Sequence, residues 1–219
     1  MSKKERTGIK KPRAQRQMKR YALGNYRIVT DTDHSEKFFF EGLKKSLPLE
    51  TRDKIEIVVS KKVRTKDLVD TAADIIENFK ETWIVFDRDR VPNFDKLIQK
   101  ANYRGINVAW SNPCIEIWFL AYYGTMPDGM DSVQCCAEFG RVFKKFTGES
   151  YTKNDDGIYR KLISSGDEKN AIIIADKKYK NWIRHCEDIE VIPPSKMNAC
   201  TMMFEIVAEI RSKTVQELE

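Results

Sequence analysis

The chain has 219 residues, of which 33% are charged, with 39 Lys and Arg against 33 Asp and Glu and a net charge of +6. This length suits one α/β domain of ordinary size with an appended helical part, and the basic excess favours polyanionic partners. No apolar run reaches the roughly 18 residues that span a bilayer, so no membrane partner is expected. Five cysteines, an odd number with no Cys-x-x-Cys pair, point to reduced thiols and a cytoplasmic protein rather than a disulfide framework. The two histidines, His34 and His185, give poor support to a zinc site or a His-based triad.

Met1 to Arg20 holds nine Lys or Arg residues against the single acid Glu5, and Gly8 and Pro12 interrupt any helix. Residues 1–22 therefore read as a flexible basic arm. Lys10, Lys11, Arg13 and Arg16 are its candidate contacts to a phosphate backbone, with a solubilising tail as the alternative.

From Tyr26 the pattern alternates between strands and helices. Tyr26 to Asp33 (Tyr-Arg-Ile-Val-Thr-Asp-Thr-Asp) runs from apolar residues into acids, and Ser35-Glu36 then opens a helix to about Ser46 that Pro48 ends. Lys54 to Val59 is the next strand, and a helix begins at Thr65 with Leu68, Val69, Ala72, Ala73, Ile75 and Ile76 turned to the sheet. Trp83 to Phe86 forms a buried strand that stops at Asp87-Arg88-Asp89. Pro92 to Ala101 is a short helix closed by Gly105, and Ile106 to Trp110 is a fourth strand. Such alternation implies a parallel sheet with right-handed crossovers over residues 23–125.

Two strand ends thus carry acids, Asp31 and Asp33 on one and Asp87 and Asp89 on the other. In an open α/β sheet, ligands sit in the crevice beyond the strand carboxyl ends. Acids gathered there repel one another unless a cation lies between them, and Mg²⁺ takes such oxygen ligands. A solvated Asp-Arg-Asp turn is the alternative.

Ser111 to Leu120 (Ser-Asn-Pro-Cys-Ile-Glu-Ile-Trp-Phe-Leu) fits a helix capped by Ser111 or Asn112, with Pro113 at its first position. It is apolar around most of its circumference and so buried. Glu116 in its first turn either interacts with its own helix dipole or supplies a third carboxylate to a cation site. Residues 126–219 read as a helical C-terminal part with little strand signal: Val133 to Phe146, Lys153 to Ile163, Glu168 to Cys186 and, after Ile192-Pro193-Pro194-Ser195, Met197 to Ile210. Lys153 joins Arg160, Lys161, Lys177, Lys178 and Lys180 as a candidate basic surface for nucleic acid, with a solvated face as the equal alternative.

The order of these features resembles the RloB-like family. The resemblance is carried by Ile28-Val29-Thr30-Asp31 leading into Ser35-Glu36-Lys37-Phe38-Phe39, by Val85-Phe86-Asp87-Arg88-Asp89, by Ser111 to Leu120 and by Ile192-Pro193-Pro194-Ser195. It implies a Toprim or Rossmann-like, mostly parallel sheet flanked by helices, with a C-terminal helical extension. It further implies a Mg²⁺- or Mn²⁺-dependent nuclease of prokaryotic anti-phage defence, encoded beside an ATPase partner, with nucleic acid as substrate. Asp31, Asp87 and Asp89 would hold the metal, and these three with Glu116 would be the catalytic set. Where such domains usually have Glu followed by Gly, this chain has Asp31-Thr32, a carboxylate retracted by on the order of 1.5 Å, which Asp33 or Glu36 is placed to compensate. Asn112 belongs to the most specific motif. Self-association into a homo-oligomer is compatible with the sequence.

Two other functions fit the same residues. A phosphatase of the haloacid dehalogenase type would use Asp31 as nucleophile and Asp33 as acid/base, with Ser60 binding phosphate and Ser35 standing in place of the usual Thr. A non-catalytic nucleic-acid-binding or sensor subunit would keep the site without its chemistry.

Overall fold

The computed structural model describes residues 25–59, 68–73, 81–184 and 192–216. In chain order these form β1 (Tyr26–Thr30), α1 (Ser35–Lys45), α2 (Leu49–Arg52), β2 (Ile55–Val59), α3 (Leu68–Ala73), β3 (Glu81–Asp87), α4 (Phe94–Tyr103), β4 (Asn107–Asn112), α5 (Glu116–Ala121), α6 (Ser132–Thr147), α7 (Ile158–Ser165), α8 (Glu168–Arg184), β5 (Cys200–Thr201) and α9 (Met203–Gln216).

The sheet has the order β2-β1-β3-β4-β5. β1 pairs in parallel with both β2 and β3, and β3 pairs in parallel with β4. β5 closes the edge antiparallel to β4, with Asn112 opposite Cys200. β1 and β3 are buried along nearly their whole length because both faces are covered, as in central parallel strands, and even Arg27 is only 6% exposed. On one face Tyr26, Ile28, Trp83 and Val85 pack with Phe39 and Phe40 of α1, Ile117 to Ala121 of α5, and Phe139 and Phe143 of α6. On the other, Val29, Ile84 and Phe86 pack with Leu68 and Val69 of α3 and Phe94 and Leu97 of α4. The chain leaves β1 in one direction to reach β2 and then returns past it to β3 and β4. This order puts the topological switch point between the carboxyl ends of β1 and β3, where ligands of doubly wound sheets bind. The architecture is the mixed, mostly parallel Rossmann/Toprim-like one expected from the alternation.

Three expectations are corrected. The helix predicted from Pro113 starts only at Glu116, because Asn112 is still in β4: its backbone pairs with Cys200 and its side-chain amide donates to the carbonyls of Pro194 (3.0 Å) and Ser195 (3.2 Å). Asn112 is therefore not a helix cap. The last helix begins at Met203 rather than Met197, since the chain first pairs as β5. The C-terminal part, expected to be helical with little strand signal, thus contributes an edge strand to the sheet. The Ile192 to Ser195 segment is fastened from both sides, because Asp95 accepts from the Ser195 amide (2.9 Å) and hydroxyl (2.6 Å). The arm, Ser60, much of the helix expected from Thr65, and His185 lie outside the described residues.

α1 packs on α7 through Gly42, where an added Cβ would fall on Tyr159 Cβ, an atom too close to its own backbone to swing aside. Gly42→Ala should therefore lower stability by about 1–2 kcal/mol net, a steric cost of up to about 3 kcal/mol less the roughly 1 kcal/mol of helix propensity gained. A thermal melt checks this, at about 2–4 °C per kcal/mol for a chain of this size; an unchanged or raised melting temperature contradicts the packing.

Candidate metal centre at the strand carboxyl ends

The acids converge because β1 and β3 are neighbours in register. Thr30 lies opposite Val85, and the Asp31 amide continues the ladder by donating to the Val85 carbonyl at 3.3 Å. With adjacent strands about 4.8 Å apart, Asp31 leaves its strand one register position short of Asp87 on the neighbouring strand, near enough for its charge to act on the Asp87 carboxyl. Asp87 is the last residue of β3 and only 5% exposed. Asp89, exposed, follows in a single 3₁₀ turn, and its amide donates to the Pro113 carbonyl at 3.3 Å, tying this turn to the one that follows β4.

Two further carboxylates enter from helices. Glu36, in the first turn of α1, is buried and accepts a hydrogen bond from the Thr32 hydroxyl. Glu116, at the start of α5, has no exposed surface. Burial pushes the Asp87 carboxyl well above the usual carboxylate range, and the charges of Glu36, Glu116, Asp31 and Asp89 push it further. The charges of four other acids thus act on Asp87.

Glu116 has its own countercharge. Tyr151 donates to its Oε1 at 2.9 Å, and the Lys153 ammonium stands 3.4 Å from the same oxygen. With the tyrosine proton committed to Glu116, the Ser35 hydroxyl, 2.9 Å away, donates to the Tyr151 oxygen. Burial alone would raise the Glu116 carboxyl, but Lys153, the Cys114 thiol and Tyr151 together leave it below the usual range. Lys153, expected on a basic surface for nucleic acid, also reaches Glu116, which holds its ammonium above the usual lysine range against the opposing effect of burial, while its side chain stays 42% exposed.

Of the predicted residues, then, Asp31, Glu36, Asp89 and Glu116 lie near enough for their charges to act on Asp87, but among the described residues no three of these five carboxylates have oxygens within 4.8 Å of one another. Asp33 does not turn toward them in the same way: its half-exposed carboxylate lies 3.4 Å from His34 Nε2. Asn112 acts at one remove, fixing the β4–α5 turn to the Pro194 and Ser195 carbonyls. Lys10, Lys11, Arg13 and Arg16 fall outside the described residues. Sequence reasoning missed Thr32 and Tyr151 as partners of the buried acids, and Ser35 as the partner of Tyr151. The available signal was the requirement that Glu116, on an apolar helix, find donors elsewhere.

A sheet with buried and half-buried carboxylates at its switch point defines an α/β protein with an oxygen-rich crevice suited to a hard divalent cation. The family model for RloB-like proteins matches residues 26–210, and the chain belongs to the RloB-like family. No curated protein and no solved structure matches it. No helix among the described residues is long and apolar enough to cross a membrane.

Because the folded state raises the Asp87 pKa, its ionisation penalises folding only as pH rises above the usual carboxylate range of the unfolded chain. Asp87→Asn should accordingly melt several degrees higher than the native chain at pH 7 to 8 in a chelator, with the difference vanishing toward pH ~4. Melts across that pH range test this, and a variant less stable at neutral pH would refute the repulsion. Tyr151→Phe acts oppositely. It removes a donor from a buried carboxylate and should cost about 1–3 kcal/mol at neutral pH, a loss that denaturant titration should find shrinking only below the usual carboxylate range as Glu116 protonates.

Proposed function

We propose that the protein is a Mg²⁺- or Mn²⁺-dependent nuclease, hydrolysing phosphodiester bonds of DNA or RNA at a Toprim-type site in prokaryotic anti-phage defence, with an ATPase as partner. The observation that carries this reading is a buried Asp87 at the carboxyl end of a central strand, beside the end of β1 that carries Asp31, with Glu36, Asp89 and Glu116 near enough for their charges to act on it. Membership of the RloB-like family supports it.

The donor set fits the ion: every acid at the centre offers carboxylate oxygen, which Mg²⁺ and Mn²⁺ prefer, and their mutual repulsion is what a divalent cation would relieve. Asp31, Asp87 and Asp89 would hold it. When bound, such an ion lowers the pKa of its water and stabilises charge on the phosphoryl oxygens. The remaining work falls to the chain. Asp87, rigid at the end of a central strand, fixes the position of the centre, and exposed Asp89 marks its substrate side. Glu36 reaches the cluster from a helix, with Thr32 holding its Oε2 and the other oxygen left to accept or return a proton, which compensates for the short Asp31. Glu116, pinned by Tyr151 and Lys153, sets the field around Asp87. Lys10, Lys11, Arg13 and Arg16 of the basic arm would bind phosphates in a salt-dependent manner.

The test is incubation of the full chain, alone and with the ATPase, with plasmid, single-stranded DNA and total RNA under Mg²⁺ or Mn²⁺. Cleavage should stop on chelation and fall by at least about 10²–10³-fold in Asp87→Asn, the scale of losing one preorganised electrostatic group, with nucleic-acid affinity largely retained. Undiminished cleavage by Asp87→Asn would remove this site from the chemistry, and beryllium fluoride trapped on Asp31 would favour the aspartyl-phosphatase alternative.

A further inference from the structure

Next to the oxygen-rich centre lies a pocket of different chemistry. The Cys114 thiol, the Cys136 thiol and a carboxylate oxygen of Glu116 lie within 4.8 Å of one another. They come from separate places. Cys114 ends the turn after β4, Glu116 opens α5, and Cys136 sits in the second turn of α6, which packs against α5. Cys114 and Glu116 are fully buried, Cys136 partly so.

Three observations set this cluster apart from a patch of small core side chains. Glu116 Oε2 is buried and makes no hydrogen bond of ordinary geometry among the described residues, the Cys114 thiol being only a weak donor to this carboxylate, although Oε1 is held by Tyr151 and Lys153. An unmatched oxygen on a buried carboxylate is costly, and a ligand would relieve that cost. The spacing is also right, since a tetrahedral ion bonded at about 2.3 Å to two sulfurs holds them ~3.8 Å apart, which side-chain rotation from the present span can reach. Finally, the charges balance: two thiolates and a carboxylate with a divalent cation leave one negative charge, and Lys153 supplies the positive one.

We propose that Cys114, Cys136 and Glu116 bind a thiophilic divalent cation of the Zn²⁺ class, separate from the hard-ion centre at Asp31, Asp87 and Asp89. Thiolate donors select Zn²⁺ over Mg²⁺ and Mn²⁺, so the two centres discriminate by ligand softness. Binding releases the two thiol protons to solvent and leaves the fourth position to water. The ion ties α6 to the β4–α5 turn and so holds Glu116 beside Asp87. This site does not depend on the nuclease reading.

The test is titration of the reduced, chelator-treated full chain with Co²⁺. One equivalent should bind with thiolate-to-cobalt charge-transfer absorption, displaced by Zn²⁺ and unaffected by excess Mg²⁺. Cys136→Ser should weaken binding by ~100-fold or more and reduce that absorption, since loss even of an outer-shell partner costs about 10–100-fold. Cys200→Ser, whose thiol is buried in the other core cluster, should leave it unchanged. Absence of the absorption in the native chain, or its persistence at full strength in a Cys136→Ser protein with a native melt, overturns the proposal. Asp87→Asn should keep the absorption, so failure here and failure of the nuclease reading are distinguishable.

Discussion

Repulsion among carboxylates is the constraint around which this molecule is arranged. Asp87 ends a central strand in a water-poor place, and four other acids press on it. An isolated chain would not bury Asp87 within reach of four other acids' charges; parallel pairing of β1 with β3, and the helices clamped over both faces, supply the free energy that keeps it there. Functional sites store this kind of unfavourable energy because a ligand of opposite charge then binds by relieving it.

The distinctive segments of the chain converge on holding that arrangement. The Asn112 side chain grips the Pro194 and Ser195 carbonyls, and Asp95 grips Ser195 from α4. The turn between β4 and α5 is thereby fixed, and it carries Pro113, whose carbonyl accepts from the Asp89 amide, and then Glu116. A motif near the middle of the sequence and one near its end are halves of a single clasp. Farther out, Tyr151 and Lys153, from the loop between α6 and α7, reach back to Glu116, so the C-terminal part helps to set the electrostatics of the sheet end.

Much of this was legible in the sequence. The strand and helix alternation fixed the parallel core, because an apolar run of four to seven residues stopping at acids has few other ways to satisfy its backbone and bury its side chains. The approach of Asp31 to Asp87 also followed from both lying at strand carboxyl ends. Other features were hidden. β5 has two residues, too few for periodicity to register, and it forms because β4 offers an open edge. Pro113 looked like a helix start by local preference, but the ladder to Cys200 and the clasp on Asn112 override that preference and delay the helix to Glu116. Lys153 looked like a surface cation, and its approach to a buried acid 37 positions earlier is a fact of tertiary packing.

The sequence by itself determined the fold class, the family and the identity of the acids, since these rest on local periodicity and on motifs whose residues are close in the chain. Only the tertiary structure decided which acids act on Asp87, which of them has a countercharge, and that two thiols share a pocket with Glu116. Those outcomes depend on distances between residues far apart in sequence, set by strand register and helix packing, and no local pattern encodes such distances.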